Sequence, residues 1–449
     1  MSIFNNNILA GAAAQSSGSA VHTIDQSIRF NDDDSAYMSR TPSSAGNRRT
    51  WTWSAWLKRG NITSTMQLFN AGANDSNNSR FQINSDDVIS YVHADSGSVT
   101  DQIKTNMKIR DTAAWYNIQL VADTTNEVET ERLRLYVNGQ RISDLATTNY
   151  PTLNFDTDIN NTEVHNIGRL FSNTQYLDGY LAEIVFIDGT ALDPSSFGEY
   201  NSSNIWVPKD VSGLTFGTNG FHIDGRDSAD LGDDESGNGN DFTTSGLASD
   251  DQKSDSPTSN HTTWNPLTTS AQAYSNGNLN SASSSSSWKG GLTTAQVPLN
   301  SGTWYYEIYV DSAGASSGQF SIGWSESNRS VSDDNSSGDT EGWVTYAING
   351  NYYANGGTGS YGATYTTGDV IGCKIDTDSS TNNVEFYKNG ASQGTISQAF
   401  NTGGTGFISP YILLYATRNA TARFAQAEWT QTPSGITTSN AINTTNLGS

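Results

Sequence analysis

Three glutamates at alternate positions are the residues whose type and spacing most suggest catalysis. Glu127, Glu129 and Glu131 lie in the stretch EVETE, and alternate residues of an extended strand share one face. Two carboxyl groups about 5 Å apart around a sugar are the nucleophile and the acid of a retaining glycosidase. Here the stretch joins two predicted strands and follows Thr and Asn, so we expect a solvated loop without a cleft. The sequence therefore favours a protein that is not an enzyme.

The other residues that commonly perform chemistry are too scattered to form a catalytic centre. The five histidines show no metal-ligand spacing, so a zinc site lacks its ligands. The single cysteine, Cys373, alternates with Ile371 and Ile375, which predicts a core position and not a reactive thiol. No glycine-rich phosphate loop precedes a helix. We expect binding, not catalysis.

The acidic residues of the sequence allow calcium as a cofactor. Asp32 and Asp34, and Asp156 and Asp158, supply the hard oxygen ligands that calcium prefers,. The second pair lies in DTDINN, which lacks the glycine and the distal glutamate of an EF-hand loop. Aspartate-rich turns also form without any metal. We therefore expect no required cofactor, with calcium as an option at these four aspartates.

The stretch from residue 341 to residue 369 has the composition of a binding surface. It combines several tyrosines with glycine, asparagine and serine, as antibody loops do, because tyrosine gives rigid contact area and small polar residues adapt their hydrogen bonds. Sugars favour such surfaces too. We name Tyr352, Tyr353, Asn355 and Tyr361 as candidate ligand contacts. The alternative is that these tyrosines pack within strands.

Composition limits the partners and the fold class. The 449 residues carry a formal net charge of -23 and no Lys/Arg cluster that could follow a phosphate backbone, so nucleic acid is excluded as a partner. No apolar run reaches the roughly 18 residues of a membrane span. Aromatic residues make up 10% of the chain, and helix-forming stretches are missing, which predicts an all-β chain long enough for two domains.

Alternating apolar and polar residues predict the strands of the first domain. Between these strands lie clusters such as NAGANDSNNS, whose residues favour turns,. Such spacing is typical of a β-sandwich. The predicted strands are Ser27–Arg40, Thr50–Lys58, Arg80–His93, Trp115–Asp123, Arg132–Gly139 and Tyr176–Asp188.

One eight-residue pattern occurs twice, about 250 residues apart. LRLYVNGQ begins at Leu133 and VEFYKNGA begins at Val384. Each reads as a strand that enters a two-residue type I′ turn, because asparagine and glycine tolerate the positive φ of both central positions. The repetition indicates two domains of related architecture.

The first domain resembles a known family. SIRFNDDDSAYMSRTP, WTWSAWLKRG, WYNIQLVAD, RLRLYVNGQRIS and YLDGYLAEIVFIDGTALDPSSFGEY together resemble a laminin-G-like, concanavalin-type jelly roll. Gly179, Glu183 and Leu192 match the closing motif of that family. The resemblance implies two curved antiparallel sheets that bind sugars or proteins, often with an ion at the rim.

The second domain resembles a SPRY domain. The stretches that carry this resemblance are SGTWYYEIYV, QFSIGWSESN, GDVIGCKIDTDSSTNNVEFYKNG and ISPYILLYATRNATARF. SPRY is itself a concanavalin-like β-sandwich, so the resemblance implies two jelly rolls in tandem. The predicted division is a segment 1–20, a laminin-G-like sandwich 21–210, an acidic Gly/Ser-rich connector 211–263, a SPRY-like sandwich 264–430 and a tail 431–449.

The first residues of the sequence predict a segment that anchors the protein to a partner. Ile3, Phe4, Ile8 and Leu9 precede a run of small residues without strand alternation, and so few apolar groups cannot offset the conformational entropy of the segment by themselves. We expect this segment to dock on a partner or a neighbouring subunit. The alternative is that this segment is a terminal strand that packs on its own first domain.

Two functions from different classes fit these features. The module combination, the opening NILAGAAAQSSG and the ending TPSGITTSNAINTTNL resemble bacteriophage appendage proteins. They imply a fibre, adhesin or capsid decoration subunit, assembled in the host cytoplasm as a homo-oligomer with other virion proteins, that binds a host-surface glycan or protein. The alternative is a secreted bacterial carbohydrate-binding or adhesive protein.

Overall fold

The computed structural model describes residues 22–268, 272–284, 288–314, 320–327, 329, 342–354, 357–378, 382–397, 400 and 406–447. The chain divides into two compact units with the boundary between Asn260 and His261. Both units are built almost entirely of antiparallel strands, so the predicted all-β class is confirmed. Among the described residues, no helix is long and apolar enough to span a bilayer.

The first unit contains eighteen strands among its described residues. They are β1 Ser27–Phe30, β2 Tyr37–Arg40, β3 Thr50–Arg59, β4 Met66–Asn74, β5 Asn77–Ile83, β6 Val88–Asp95, β7 Ser98–Lys108, β8 Trp115–Asp123, β9 Leu133–Val137, β10 Gln140–Arg141, β11 Leu145–Asn149, β12 Val164–Ile167, β13 Gly179–Asp188, β14 Gly198–Tyr200, β15 Trp206–Pro208, β16 Phe221–Ile223, β17 Thr243–Ser245 and β18 Gln252–Lys253. Short 3-10 turns lie at Glu129–Glu131, Pro194–Ser196 and Ser249–Asp251.

These strands form two facing eight-stranded sheets. The first sheet has the order β10-β9-β8-β3-β13-β1-β18, with β16 paired to β13, and the second has the order β11-β7-β6-β5-β4-β12-β2-β17. A separate hairpin joins β14 and β15. Trp53 of the first sheet packs on Phe69 and Phe81 of the second. Alternate residues of each strand face this core, as the period of two predicted.

Two predicted strands are each divided in the structure. Ser27–Arg40 becomes β1 and β2, which belong to different sheets, because residues 31–36 turn the chain from one sheet to the other. Arg80–His93 becomes the hairpin of β5 and β6, whose turn holds Asp87 at a φ of 67°. Both turns are polar, with NDDDS at residues 31–35 and NSDD at residues 84–87, and each was included in one predicted strand because apolar residues resume directly after it.

The expected connector is part of the first unit. Residues 211–260 contribute β16, β17 and β18, which pair with β13, β2 and β1. The stretch also places Asp255 beside the fully buried Lys58, with Nζ and Oδ2 2.7 Å apart. Its acidic and glycine-rich composition predicted a linker, whereas several of its charges are bonded within the sandwich. The division at 210 and 264 is therefore replaced by a single boundary after Asn260.

The second unit contains fourteen strands among its described residues. They are β19 Ala273–Ser275, β20 Asn280–Ser283, β21 Lys289–Leu292, β22 Val297–Pro298, β23 Thr303–Ser312, β24 Phe320–Glu326, β25 Trp343–Ala347, β26 Asn351–Ala354, β27 Gly357–Ser360, β28 Val370–Asp376, β29 Asn383–Lys388, β30 Ala391–Ser397, β31 Phe407–Leu414 and β32 Arg418–Arg423. Short 3-10 turns lie at Pro266–Thr268, Gln426–Glu428 and Thr438–Asn440, and a single helical turn, α1, spans Thr444–Leu447.

These strands again form two sheets. The third sheet has the order β19-β20-β32-β23-β28-β29-β30, and the fourth has the order β21-β31-β24-β25-β26-β27, with β22 paired to β31. Tyr306 of the third sheet contacts Trp324 of the fourth, with ring centroids 5.2 Å apart. Cys373 is fully buried, and burial raises the pKa of its thiol. The cysteine therefore lies in the core, as its alternation predicted.

The predicted tail packs on the third sheet. Just before the predicted tail, the ring of Trp429 lies 4.8 Å from that of Tyr305. The backbone N–H groups of Thr430 and Gln431 donate to the carboxylate of Glu307, at 2.8 and 2.9 Å. Asn440 donates from Nδ2 to a backbone carbonyl of β23. Residues up to 447 thus contribute to the second unit, where the composition had suggested a separate tail.

Candidate functional site

The outward side of the second sheet carries a polar row that crosses all eight strands. Residues directly opposite one another on paired strands share one face. The row follows from the register as Thr243, Ser39, Asn166, Asn70, Arg80, Val92, Gln102 and Asn149. Seven of these eight residues are polar. At about 4.8 Å between neighbouring strands, the row is about 34 Å long.

Amide groups of this row are bonded to one another. Asn166 donates from Nδ2 to Oδ1 of Asn70 at 3.2 Å, and Asn70 donates to the backbone oxygen of Arg169 at 2.6 Å. Arg169 returns a bond from Nε to Oδ1 of Asn166, and its guanidinium lies 3.4 Å from the ring centre of Tyr37. The two asparagines are fully buried beneath these larger side chains. Their orientation is therefore fixed by the protein itself.

A second set of amides lies beside the first. Gln67 donates from Nε2 to Oε1 of Gln82 at 2.9 Å and to Oε1 of Gln175 at 2.6 Å. Gln82 donates to Asn84, and Asn84 donates to the hydroxyl of Ser90 at 2.9 Å. We call the outward side chains of both sets, with Tyr37, Arg80, Gln102 and Arg169, the amide face. Gln67, Asn70 and Asn166 are fully buried and orient the outer amides. Asn84, Gln102 and Gln175 are part-exposed, and amides have both donors and an acceptor, so the face suits a ligand rich in hydroxyl groups.

Arg80 lies in the middle of the amide face and has no hydrogen-bond or ion-pair partner among the described residues. Its Cα partners are Asn70 on β4 and Val92 on β6. The side chain is half-buried, and its Nε is covered and donates to no acceptor within the described residues. Burial lowers the pKa of the guanidinium, and the charge of Asp75 partly offsets this shift. Across the described ranges, neither Arg80 nor Arg169 forms an ion pair, whereas Lys104 is paired with Asp86 at 2.9 Å.

The structure places the three glutamates of EVETE on a solvated turn. Glu127 and Glu129 are exposed, and Glu129–Glu131 forms a 3-10 turn. Glu131 pairs with Arg141 through an Nη1 to Oε1 distance of 2.7 Å. The expected solvated loop at this stretch agrees with the geometry of these residues.

The four aspartates proposed for calcium lie in separate hydrogen-bonded surroundings. Asp156 pairs with Nε of Arg49 at 2.7 Å, and Asp158 lies 3.1 Å from Nδ1 of His93. Asp32 accepts from Nδ2 of Asn61 at 3.1 Å, and Asp34 accepts from Nδ2 of Asn31 at 2.6 Å. In the part of the chain that the structure describes, no three His, Cys, Asp or Glu side chains surround one point. Calcium binding stays a prediction.

Asp178 is a buried carboxyl group that the sequence did not single out. It lies just before β13, fully buried. Burial and the neighbouring carboxyl of Asp32 raise its pKa well above the usual range. Gly60 is required beside it, since a Cβ at that position would come within 1.6 Å of Oδ1. The two carboxyls meet because β1 and β13 are antiparallel neighbours, which the sequence could not show.

The candidate tyrosines of the second unit lie on and after β26. Tyr352 is opposite the buried Tyr346, so it faces the interior, while Tyr353 faces the other side of the fourth sheet,. Tyr361 accepts a bond from the backbone N of Phe386 at 3.1 Å and donates to the backbone oxygen of Gly394. Asn355 lies outside the described residues, as do Ile3, Phe4, Ile8 and Leu9. Ligand binding by the tyrosines stays a prediction.

Comparison with known proteins identifies both modules. Residues 31–195 match the family model of the concanavalin A-like lectin/glucanases superfamily, and residues 303–427 match the SPRY domain model. The chain is therefore a two-module protein with a concanavalin A-like sandwich followed by a SPRY domain. The two resemblances seen in the sequence are confirmed.

Several solved structures are similar to this chain. The SPRY domain of human HERC1 is 21% identical, covers 36% of this chain and 96% of its own chain, and has a TM-score of 0.30. Domains LG4-5 of the mouse laminin alpha1 chain are 10% identical, with 95% and 88% covered and a TM-score of 0.31. A heptameric SAP-like pentraxin from Limulus polyphemus is 17% identical, with 38% and 80% covered and a TM-score of 0.29.

Proposed function

We propose that the protein is a non-enzymatic binding protein and that the amide face of its first unit binds a glycan. The observation that carries this proposal is the row of oriented polar side chains across eight strands. Sugars present hydroxyl groups that donate and accept, and preoriented amides can match both roles without losing side-chain entropy on binding. Tyr37, half-buried under Arg169, adds an aromatic surface at one end of the face. The match to a lectin and glucanase superfamily supports the same class of ligand.

The proposal is tested by shortening outward amides of the face in the full-length protein. Gln82→Ala and Gln102→Ala together remove two polar groups, one on β5 and one on β7, the strands on either side of β6, and we expect binding on a glycan array to weaken about tenfold or more. Gln140→Ala is the matched control, because Gln140 is an exposed glutamine on β10 of the other sheet. Equal loss in the control variant, or no loss in the double variant, would contradict glycan binding at this face.

We further propose that the protein is a structural subunit of a bacteriophage virion, on the head or the tail. The combination of the two modules and the resemblance of both chain ends to phage appendage proteins support this assignment. Other virion proteins and further copies of this chain are the expected partners, and assembly takes place in the host cytoplasm. Immunogold electron microscopy of purified virions tests it: labelling on particles supports the assignment, and particles without label contradict it.

A secreted bacterial carbohydrate-binding or adhesive protein is the alternative, and the lectin-type module fits it equally well. Both functions use a binding surface, so the glycan experiment does not separate them. The neighbouring genes do. Capsid and tail genes beside this one support the virion, while genes for polysaccharide use or surface attachment support the secreted protein.

The tyrosines of the second unit are proposed as a second binding surface. Replacing Tyr352, Tyr353 and Tyr361 with alanine should reduce adsorption to host cells or glycans. Tyr361 is bonded to β29 and β30, so circular dichroism and a melting curve of the variant have to accompany the adsorption assay. A folded variant that adsorbs normally would show that these tyrosines only pack within the unit.

A further inference from the structure

We infer that the amide face selects glycans that carry a carboxylate, and that Arg80 is the residue that binds this group. The inference rests on the proposed glycan-binding function and names the ligand class for the same face. A uronic acid or a sialic acid has the required chemistry, with hydroxyl groups for the amides and a planar carboxylate for the guanidinium.

Arg80 is unusual because its charge is left unused in an acidic protein. The formal net charge of -23 comes from 46 acidic and 23 basic residues, so carboxylates are abundant as partners. Other buried cations have such a partner: Arg29 pairs with Asp251 and Arg59 with Asp87, at 2.7 and 2.8 Å. Within the described ranges Arg80 has neither a hydrogen bond nor an ion pair, although it is half-buried and its Nε is covered.

The surroundings of Arg80 favour an external anion. Partial burial shields the guanidinium of Arg80 from water. A carboxylate that reaches the guanidinium therefore forms a charge-assisted hydrogen bond that is stronger than the same bond in open solvent. Asp75 is the acidic group whose charge reaches Arg80, and it lies beyond ion-pair distance. Asn70 and Val92, its neighbours across β4 and β6, are uncharged. A bound anion therefore meets no carboxylate at the positions directly opposite Arg80 on the two adjacent strands.

Arg169 and Lys104 are less suited to this role. Arg169 is bonded through Nε to Asn166 and through Nη1 to Asn173 and lies against the ring of Tyr37, so two of its three nitrogens already have acceptors. Lys104 pairs with Asp86. Arg80 is the cation of the face whose donors are unused, and a planar carboxylate matches the fork of a guanidinium better than a hydroxyl group does.

The negative net charge of the chain does not prevent this binding. At physiological ionic strength the Debye length is about 8 Å, so distant acidic residues are screened from a ligand on the amide face. The half-buried Arg80 is screened much less. Long-range repulsion should slow association with an acidic polymer, and the local contact should still decide which sugar is retained.

The test compares full-length wild type with Arg80→Gln on one array of polyuronates, sialylated oligosaccharides, their carboxyl-reduced forms, neutral glucans and sulfated glucans. Wild type should bind a carboxylated glycan and lose at least tenfold in affinity when the carboxyl group is reduced. Arg80→Gln should weaken binding of the carboxylated glycan about 10- to 100-fold and leave the carboxyl-reduced form unchanged. Arg226→Gln is the control, since Arg226 is exposed and pairs with Asp224 at 3.3 Å, and it should bind as wild type does.

Each contrary outcome identifies what has failed. Binding of neutral glycans alone, or a carboxylated glycan bound equally by Arg80→Gln, overturns the role of Arg80 and leaves glycan binding by the amide face standing. Equal binding of sulfated glucans overturns selection of a carboxylate. Binding of no glycan at all by wild type overturns the proposed function together with this inference.

Discussion

At the scale of single residues, two buried pairs of ionisable groups show how burial and neighbouring charges shift a pKa. The pairs are Asp178 with Asp32 and His222 with Glu183. Asp178 accepts from the backbone N of Asn61 through Oδ1, while Oδ2 has no donor partner. His222 bonds to Glu183 at the bulge of β13, with Nε2 and Oε2 3.1 Å apart. In the first pair the surroundings favour the neutral, protonated carboxyl of Asp178. In the second pair they favour the positively charged, protonated imidazole of His222.

Replacing Asp178 with asparagine should stabilise the protein at neutral pH. The folded state raises the pKa of Asp178, so this carboxyl destabilises the fold increasingly as the pH rises from the unfolded-state pKa towards the folded-state pKa. An asparagine amide can donate to Asp32 at any pH. We expect Asp178→Asn to gain about 1–2 kcal/mol at pH 7 and less at pH 4, measured by chemical denaturation.

Asp95→Asn is the control for the removal of one exposed charge, and its stability should change little at either pH. The same denaturation curves, recorded with and without calcium, test whether Asp32 and Asp178 bind the ion. If calcium stabilises wild type, and Asp178→Asn loses that effect and becomes the less stable protein, the carboxyls of Asp32 and Asp178 hold a cation, and the prediction that Asp178 destabilises the fold at pH 7 is wrong.

His222 should stabilise the fold more in mild acid than in mild base. Burial opposes its protonation, but the hydrogen bond and the charge of Glu183 outweigh burial, and the pKa of His222 is raised. The stabilisation is therefore complete below the unfolded-state pKa and is lost as the pH rises through the folded-state pKa. Urea denaturation should show that His222→Gln costs about 1–2 kcal/mol more at pH 5.5 than at pH 8.5. An equal cost at both values would contradict the ionic pair.

At the scale of elements, the repeated hairpin has the same role in both units. Asn138 and Gly139 have φ of 49° and 74°, and Asn389 and Gly390 have φ of 48° and 80°. In each turn the asparagine accepts through Oδ1 from a backbone N of the neighbouring strand, at Asn117 and at Val370, both at 2.8 Å. The repeated pattern therefore sets the turn and also ties it to the next strand.

The two turn glycines should differ in their tolerance of alanine. Both have positive φ, so each substitution costs about 1 kcal/mol of backbone strain. A Cβ at Gly139 would also lie 2.4 Å from the ring of Trp206, whereas at Gly390 the nearest atom is Oε1 of the flexible Gln431 at 3.3 Å. We expect Gly139→Ala to lower the melting temperature clearly more than Gly390→Ala in calorimetry. Equal shifts would show that the ring of Trp206 moves aside without cost.

At the scale of the whole molecule, the proposed virion role requires a segment that attaches the chain to the particle. Two sandwiches with long polar loops suit a protein that presents binding surfaces, and the fold alone does not assign a function. The proposed anchor at Met1 to Gly18, which lies outside the described residues, would supply the attachment.

Deleting residues 2–18 should abolish incorporation into virus particles without unfolding either unit. The apolar residues of this segment, and not the sandwiches, are expected to dock on the particle. Quantitative immunoblotting of purified particles measures the copy number, and a melting curve of the truncated protein is the control for folding. A truncated protein that folds and assembles at normal copy number would rule the anchor out.

The sequence determined the features that depend on local pattern. Alternation placed Trp53 and Cys373 in the cores, and Asn-Gly predicted both hairpins, because the period of a strand and the φ of a turn are properties of neighbouring residues. Composition misassigned residues 211–260, since polar residues that bond within a sandwich look the same as those of a linker.

Only the tertiary structure decided the candidate site. Asn70, Arg80 and Asn166 are far apart along the chain and share no motif, and they form one row because the strand order places β12, β4 and β5 side by side. Asp32 and Asp178 meet for the same reason. Pairing of distant strands depends on the packing of the entire sandwich, which no short stretch of sequence encodes.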